Sequence, residues 1–305
     1  VGLVAVVFML IAPCGTLHKP RKPHVEAAEP SVPVTAEDYV RHGSELRAQG
    51  QFEMSLQAFE KAIALKPDYA EAWFERAATL EELGRFQEAL QACEKAIELK
   101  PDYPTAWLGK GLMLDGVGRR EEALTAYDKA VELKPDYGWA WYCKGLLLAK
   151  LGRHQEALKA DERAVELMPR HADAWLNKGK ALDELGQHEE ALQAYEKVIE
   201  LKPNEAKGWI FKAGTFQIMG RHQQVLDACV KATQVEPDNY RAWACKAEAL
   251  HNLVRYEEAL EAYRKVVGVK PDCEEGWCSL GRVLDVLGRQ AEALKHYEKA
   301  LELKP

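Results

Sequence analysis

The 305-residue sequence contains no C-x-x-C pair, no N-x-[ST] glycosylation signal and no excess of basic residues. Without paired cysteines or nearby histidines, there is no sequence signal for a zinc site. Lys and Arg number 41 against 48 Asp and Glu, and the net charge of −7 argues against a nucleic-acid binder, which needs a basic face. The seven cysteines are expected to be free, mostly buried thiols, which suits a reducing compartment.

The usual signatures of catalysis are also missing. The sequence has neither a G-x-S-x-G nucleophile elbow nor a phosphate-binding loop. His188 opens a string that resembles H-E-x-x-H, but Leu192 stands where the second histidine is required. His154, His188 and His222 recur every 34 residues, and equivalent points on stacked helix pairs lie about 10 Å apart, too far to share an ion. We therefore expect no catalytic residue, no metal site and no cofactor.

Long apolar runs are absent except at the N-terminus. Residues 1–12 are continuously apolar, but a bilayer-spanning helix takes about 20 residues. Residues 1–17 therefore resemble the tail of a truncated signal sequence or membrane anchor. Residues 18–35 contain four prolines, which predicts an extended linker. If the first segment is an anchor, the basic residues Lys19, Arg21 and Lys22 place the rest of the chain in the cytoplasm.

From residue 36 onward, two ladders of residues repeat every 34 positions. The first is a tryptophan ladder, with Tyr39 in its first place: Trp73, Trp107, Trp141, Trp175, Trp209, Trp243 and Trp277. The second is a proline ladder: Pro67, Pro101, Pro135, Pro169, Pro203, Pro237, Pro271 and Pro305. Two ladders in phase divide the chain into eight repeats: 36–69, 70–103, 104–137, 138–171, 172–205, 206–239, 240–273 and 274–305.

Each repeat reads as two short amphipathic helices. In the second repeat Trp73, Ala77 and Leu80 follow the spacing of one helix face, and Gly84 is suited to end that helix. A second apolar face runs from residue 86 until Pro101 stops it. A single pair cannot bury both faces, so stacking on neighbouring repeats must cover them. The pattern predicts an all-α solenoid of helix pairs.

The chain resembles the tetratricopeptide repeat (TPR) family. The third repeat matches the family motif at Trp107, Gly111, Leu114, Ala123, Tyr127 and Pro135. The resemblance implies a right-handed superhelical solenoid of antiparallel helix pairs. Its first helices would line a concave groove, which family members use to hold peptides or helices of partner proteins. The chain departs from the motif at Lys110 and its equivalents, at Asp161 in an aromatic position and at Val254 in place of the turn glycine.

Three rows of first-helix residues would then face the groove. The first row is apolar: Phe74, Leu108, Tyr142, Leu176 and Ile210. The second row continues this apolar floor at Leu112 and Leu146 and reaches Lys180, and the third is acidic, at Glu81, Asp115 and Asp183. We expect a protein or peptide partner that offers an apolar or amphipathic segment with some basic residues. The alternative is that the first row packs against neighbouring helices.

These features predict a non-catalytic protein–protein interaction scaffold. Two alternatives stay open. The array could be the regulatory or substrate-recruiting arm of a larger enzyme, for example a glycosyltransferase, or a membrane-tethered assembly factor. The expected location is the cytoplasm, with or without a membrane tether through residues 1–17.

Overall fold

A computed structural model describes residues 35–303, and within this range all regular structure is helical. The predicted segment 1–17 and nearly all of the linker lie outside the described residues. The described chain divides into two compact units, the first ending at Gly152 and the second beginning at Arg153. The helices of the first unit are α1 (Ala36–Ala48), α2 (Phe52–Leu65), α3 (Ala70–Glu82), α4 (Phe86–Leu99), α5 (Pro104–Gly116), α6 (Arg120–Leu133) and α7 (Gly138–Lys150).

The second unit begins with the second helix of the fourth repeat. Its helices are α8 (His154–Leu167), α9 (Ala172–Glu184), α10 (His188–Leu201), α11 (Lys207–Ile218), α12 (His222–Val235), α13 (Tyr240–Asn252), α14 (Tyr256–Val269), α15 (Glu274–Val286) and α16 (Gln290–Leu303). The prediction of an all-α array of helix pairs is confirmed. None of the described helices is long and apolar enough to cross a membrane.

Local sequence signals set the ends of these helices. Thr35 starts α1 as a capping box, because its hydroxyl accepts from the Asp38 amide and the Asp38 carboxylate accepts from the Thr35 amide. Gly84 ends the first helix of its repeat at a φ of +71°, a left-handed conformation that suits glycine. Val254 stands at the equivalent place of the seventh repeat with a φ of +63°, where a β-branched side chain is strained.

Close approach of the two helices within a repeat depends on a glycine opposite an aromatic ring. A Cβ atom placed on Gly111 would lie 2.4 Å from Cε1 of Tyr127, and one on Gly179 would lie 2.5 Å from Cε1 of Tyr195. Each tyrosine ring thus fills the space that a side chain on the facing helix would take. Both rings are almost completely buried at this joint.

Successive repeats are joined through the tryptophan ladder. The Trp107 indole Nε1 donates to the Pro101 carbonyl at 2.9 Å, so the two ladders meet in one hydrogen bond that crosses the repeat boundary. Equivalent bonds of 2.7–3.0 Å are made by Trp73, Trp141, Trp175, Trp243 and Trp277. The tryptophan rings themselves stay partly exposed.

The lysines that depart from the family motif reinforce the same joint. The Lys110 ammonium lies 5.7 Å from the centre of the Trp107 ring and 3.0 Å from Oε1 of Glu94, a residue of the preceding repeat. Lys144 and Lys212 repeat this arrangement with an acid of the preceding repeat at 2.6 and 2.9 Å. A cation over an indole ring gains about 0.5–1 kcal/mol at exposed sites. These lysines therefore act in repeat stacking.

One expectation about the cysteines is wrong. Cys229 on α12 and Cys245 on α13 form a disulfide, with their Cα atoms 5.6 Å apart. The sequence shows no C-x-x-C signal here, because the two residues come from successive repeats and are 16 positions apart. Cys93, Cys143, Cys273 and Cys278 are free. The first three of these are buried, as expected of thiols that pack as small apolar groups.

Candidate functional site

The first helices of successive repeats touch within each unit: α1 with α3, α3 with α5 and α5 with α7 in the first, and α11 with α13 in the second. We call the surface that they present the first-helix surface. It carries all of the predicted partner-binding residues, which the structure places at different depths.

The first predicted row is largely internal. Phe74, Leu108, Tyr142 and Leu176 expose only 4, 0, 3 and 2% of their surface, respectively. These side chains pack against neighbouring helices; Phe74, for example, lies 5.4 Å from the Tyr103 ring. The burial agrees with the alternative of a packing role. Ile210 differs, because it is partly exposed.

The second row becomes more accessible along the chain. Leu112 is buried, whereas Leu146 on α7 is partly exposed and Lys180 on α9 is exposed. Leu146 is thus an apolar group of the first unit that a partner can reach.

Within the first unit, the acidic row is only partly accessible. Glu81 is 6% exposed, and burial together with the neighbouring Glu82 raises its pKa to about 7. Asp115 accepts a 2.7 Å hydrogen bond from the Lys150 ammonium. The negative charge of this row is therefore reduced by protonation at one position and by pairing at the other.

Asp183 is the residue of the acidic row that lies in the second unit, and three groups contact its carboxylate. Its Oδ2 accepts hydrogen bonds from the Tyr195 hydroxyl at 2.9 Å and from the Thr215 hydroxyl at 2.7 Å. Its Oδ1 lies 3.0 Å from Nδ1 of His188. Tyr297 likewise donates to Asp285 at 2.7 Å, so a tyrosine of the second helix pairs with an aspartate of the first helix in more than one repeat. This aspartate position is structural.

A cleft on the first helices of the second unit was not predicted. It has a volume of about 470 Å³ and lies between α13 and α15 of the second unit. Its charged lining residues Glu248, Glu275 and Arg282 are exposed, and Tyr240, Ser279 and Tyr263 supply hydroxyl groups. One lining residue is smaller than its equivalents: Ala244 occupies the first-row position, where earlier repeats carry larger residues such as Tyr142 and Leu176.

Polar contacts inside the cleft leave much of its charge available. Arg282 donates to the Ser279 hydroxyl at 2.8 Å, and no carboxylate pairs with it in the described chain. Glu248 has no ion-pair partner there either. Both charges act on Tyr263, whose pKa is raised mainly by burial and also by Glu248, and is lowered by Ser279 and Arg282. The carboxylate of Glu248 and the guanidinium group of Arg282 thus both line the cleft.

A second unpredicted feature is a basic and aromatic cluster on α9 and α11. The Lys180 ammonium lies 4.6 Å from the centre of the Phe211 ring, which stacks on Tyr195 at 5.7 Å. Lys207 pairs with Asp173 at 2.7 Å. Burial by itself would raise the pKa of Asp173, but Lys207 and Lys202 lower it.

Comparison with protein-family models gives matches along most of the chain. Models described as "Tetratricopeptide repeat" match residues 40–104, 136–204, 223–272 and 274–305, and one described as "TPR repeat" matches residues 118–152. No curated protein matches the chain.

Solved structures of repeat proteins are similar to this fold. YrrB, whose structure is described as that of a TPR protein with an unusual peptide-binding site, is 28% identical, covers 63% of this chain and 98% of its own, and has a TM-score of 0.56. MamA from Desulfovibrio magneticus RS-1 is 25% identical, covers 55% of this chain and 95% of its own, and has a TM-score of 0.53. Both are built from the same kind of helix pair as the present chain.

Proposed function

The chain belongs to the tetratricopeptide repeat family, and from this we propose that it is a non-catalytic scaffold that holds peptide or helical segments of partner proteins on its first-helix surface. Proteins of this family are typically scaffolds without catalytic activity. The similarity to YrrB supports the proposal, since that protein is described as having a peptide-binding site. The helix pairs provide a rigid support on which surface residues can vary without loss of the fold.

The observation that carries the proposal is the cleft of about 470 Å³ between α13 and α15. It is large enough for several side chains of an extended or helical segment. Glu248 and Arg282 can pair with charges of a bound segment, while the Tyr240, Tyr263 and Ser279 hydroxyls can hydrogen-bond its polar groups.

In the first unit we propose a second contact area around Leu146 and Asp115. Leu146 offers a partly exposed apolar side chain, and Glu82 at the end of α3 offers a partly exposed carboxylate. Glu71 and Glu75 of the same helix are paired with Lys100 and Arg47, respectively. An apolar or amphipathic segment with some basic residues would match this area. Phe74, Leu108 and Tyr142 would support it from below, because their side chains are buried.

The proposal is tested by selecting binders from a displayed library of random peptides against the whole chain. We expect enriched peptides whose affinity, measured by fluorescence anisotropy, falls about tenfold in the Arg282→Glu variant, because a favourable charge contact becomes repulsive. Arg264→Glu is the matched control, since Arg264 is also an exposed arginine, lies on the second helix α14 and is outside the cleft lining.

Leu146→Glu should weaken a separate class of peptides, with Leu65→Glu as its control. Leu65 is 57% exposed and lies at the end of α2, a second helix. If no peptide is enriched, or if the enriched peptides bind all four variants as they bind the unaltered chain, the first-helix surface is not the binding site. Circular dichroism on each variant checks that the helices are intact.

A further inference from the structure

Lys180 is the exposed lysine of the first-helix surface that rests on an aromatic stack. Its ammonium lies 4.6 Å from the centre of the Phe211 ring, and this ring stacks on Tyr195 with an interplanar angle of 29°. The contact joins α9 to α11, the first helices of the fifth and sixth repeats. It fixes the direction of the ammonium group, so less side-chain entropy is lost when a partner binds it.

The positive charge at this place is not neutralised internally. Lys180 has no carboxylate within ion-pair distance in the part of the chain that the structure describes. Lys207, one turn before Phe211 on α11, is held by Asp173 at 2.7 Å. Burial lowers the pKa of Lys180, and the charge of Lys207 lowers it further, while Asp173 acts in the opposite sense. The site is therefore an electropositive point that a bound anion would stabilise.

The carboxylates nearby are already engaged. Asp173 is paired with Lys207, and Asp183 accepts hydrogen bonds from Tyr195 and Thr215. A basic partner segment would have to displace one of these contacts and would also meet the Lys180 charge. An acidic segment meets neither obstacle.

We propose that Lys180, Lys207, Ile210 and Phe211 form a surface that selects an acidic partner segment, in which a side-chain carboxylate pairs with Lys180 and an adjacent apolar side chain packs on Ile210. This inference rests on the proposed scaffold function and names the partner chemistry for the fifth and sixth repeats. It differs from the sequence-based expectation of basic residues in the partner, which came from the acidic row.

The test uses two fluorescein-labelled peptides of twelve residues with the same leucine and phenylalanine positions. One carries glutamate at all remaining positions and the other carries lysine. We expect the glutamate peptide to bind the whole chain with an affinity that falls as salt rises, because exposed charge pairs are screened, whereas binding of the lysine peptide, for example near Leu146, should not be weakened by Lys180→Glu.

Three variants locate the effect. Lys180→Glu should weaken the glutamate peptide about tenfold or more, and Lys180→Met should weaken it while keeping an unbranched chain against Phe211. Lys159→Glu is the matched control, because Lys159 is an exposed lysine of the second helix α8 in the same unit. This variant should bind as the unaltered chain does.

The results distinguish failure of the acidic preference from failure of the scaffold function. If library-selected peptides bind the chain but Lys180→Glu does not weaken the glutamate peptide more than the lysine peptide, the acidic preference is wrong and the scaffold function stands. Equal weakening by Lys180→Glu and Lys159→Glu would also overturn the inference, since it would show a general charge effect. If no peptide of either kind binds and the library yields none, the scaffold function itself fails.

Discussion

Asp161 offers a quantitative test of how the repeats pack. It lies on α8 at the position where other repeats place an aromatic ring, such as Tyr127 and Tyr195. Its side chain is completely buried, and neither carboxylate oxygen has a hydrogen-bond partner in the described chain. Burial raises its pKa from 3.8 to about 8, and the charge of Lys178 offsets only part of this effect. The folded chain therefore keeps this carboxyl protonated at neutral pH.

The sign of the resulting pH dependence follows from proton binding. Between pH 3.8 and about 8 the folded state holds a proton at Asp161 that the unfolded state has lost. Stability therefore falls as pH rises through this window, by about 1.4 kcal/mol per pH unit. Protonated Asp161 contributes its full stability below pH 3.8. At pH 7 the free energy of unfolding is lower by roughly 4 kcal/mol, which is at the upper end of single-residue effects.

The assay is urea unfolding followed by circular dichroism at pH 5, 6, 7 and 8. In Asp161→Asn the pH dependence that comes from this residue should vanish. The variant should be more stable than the unaltered chain by about 2–4 kcal/mol at pH 8, since the amide is neutral at every pH and folding no longer requires uptake of a proton. Asp238→Asn, at an exposed aspartate of the same unit, should keep the original slope. Glu81 titrates in the same direction, but it contributes equally to all three proteins.

The prediction fails if the unaltered chain and Asp161→Asn show parallel pH profiles, or if the variant is the less stable protein at pH 8. Either result would mean that the Asp161 carboxylate is ionised and well solvated or paired in the folded state. The burial argument would then be wrong.

Three further changes test other joints of the array. Gly111→Ala should lower the free energy of unfolding by about 1–3 kcal/mol in urea titrations, because its Cβ would lie 2.4 Å from the Tyr127 ring. Adding Tyr127→Cys, which removes that ring, should restore much of the loss. Val254→Gly should raise the thermal midpoint by relieving a φ of +63°, a gain of about 1 kcal/mol; a lower midpoint would contradict the strain. Reducing the Cys229–Cys245 bond, which closes a loop between residues 16 positions apart, should lower the free energy of unfolding by up to about 3 kcal/mol. An unchanged urea midpoint after reduction would show that the bond does not form.

The helices could be predicted because their signals are local. Gly84 and Pro101 mark the ends of the two helices in the second repeat, and the apolar spacing between them selects the helical period. The accessible site could not be predicted in the same way. Leu108 is buried because residues of adjacent repeats cover it, and Asp183 is engaged by Thr215 from 32 positions away. Whether a surface row is free depends on such distant partners, which a motif does not record.

The charges of the first-helix surface fall into two classes with different consequences for binding. Asp183 and Asp115 are satisfied by internal donors, so a partner that approaches them must compete with existing hydrogen bonds and gains little. Lys180 and Arg282 have no carboxylate partner in the described chain, so an anionic group can pair with them without displacing a carboxylate. Partner selectivity is therefore expected to follow the unpaired charges, and a count of acidic residues along the rows predicts it poorly. For the same reason, substitutions at Asp183 should act mainly on stability and substitutions at Lys180 mainly on affinity.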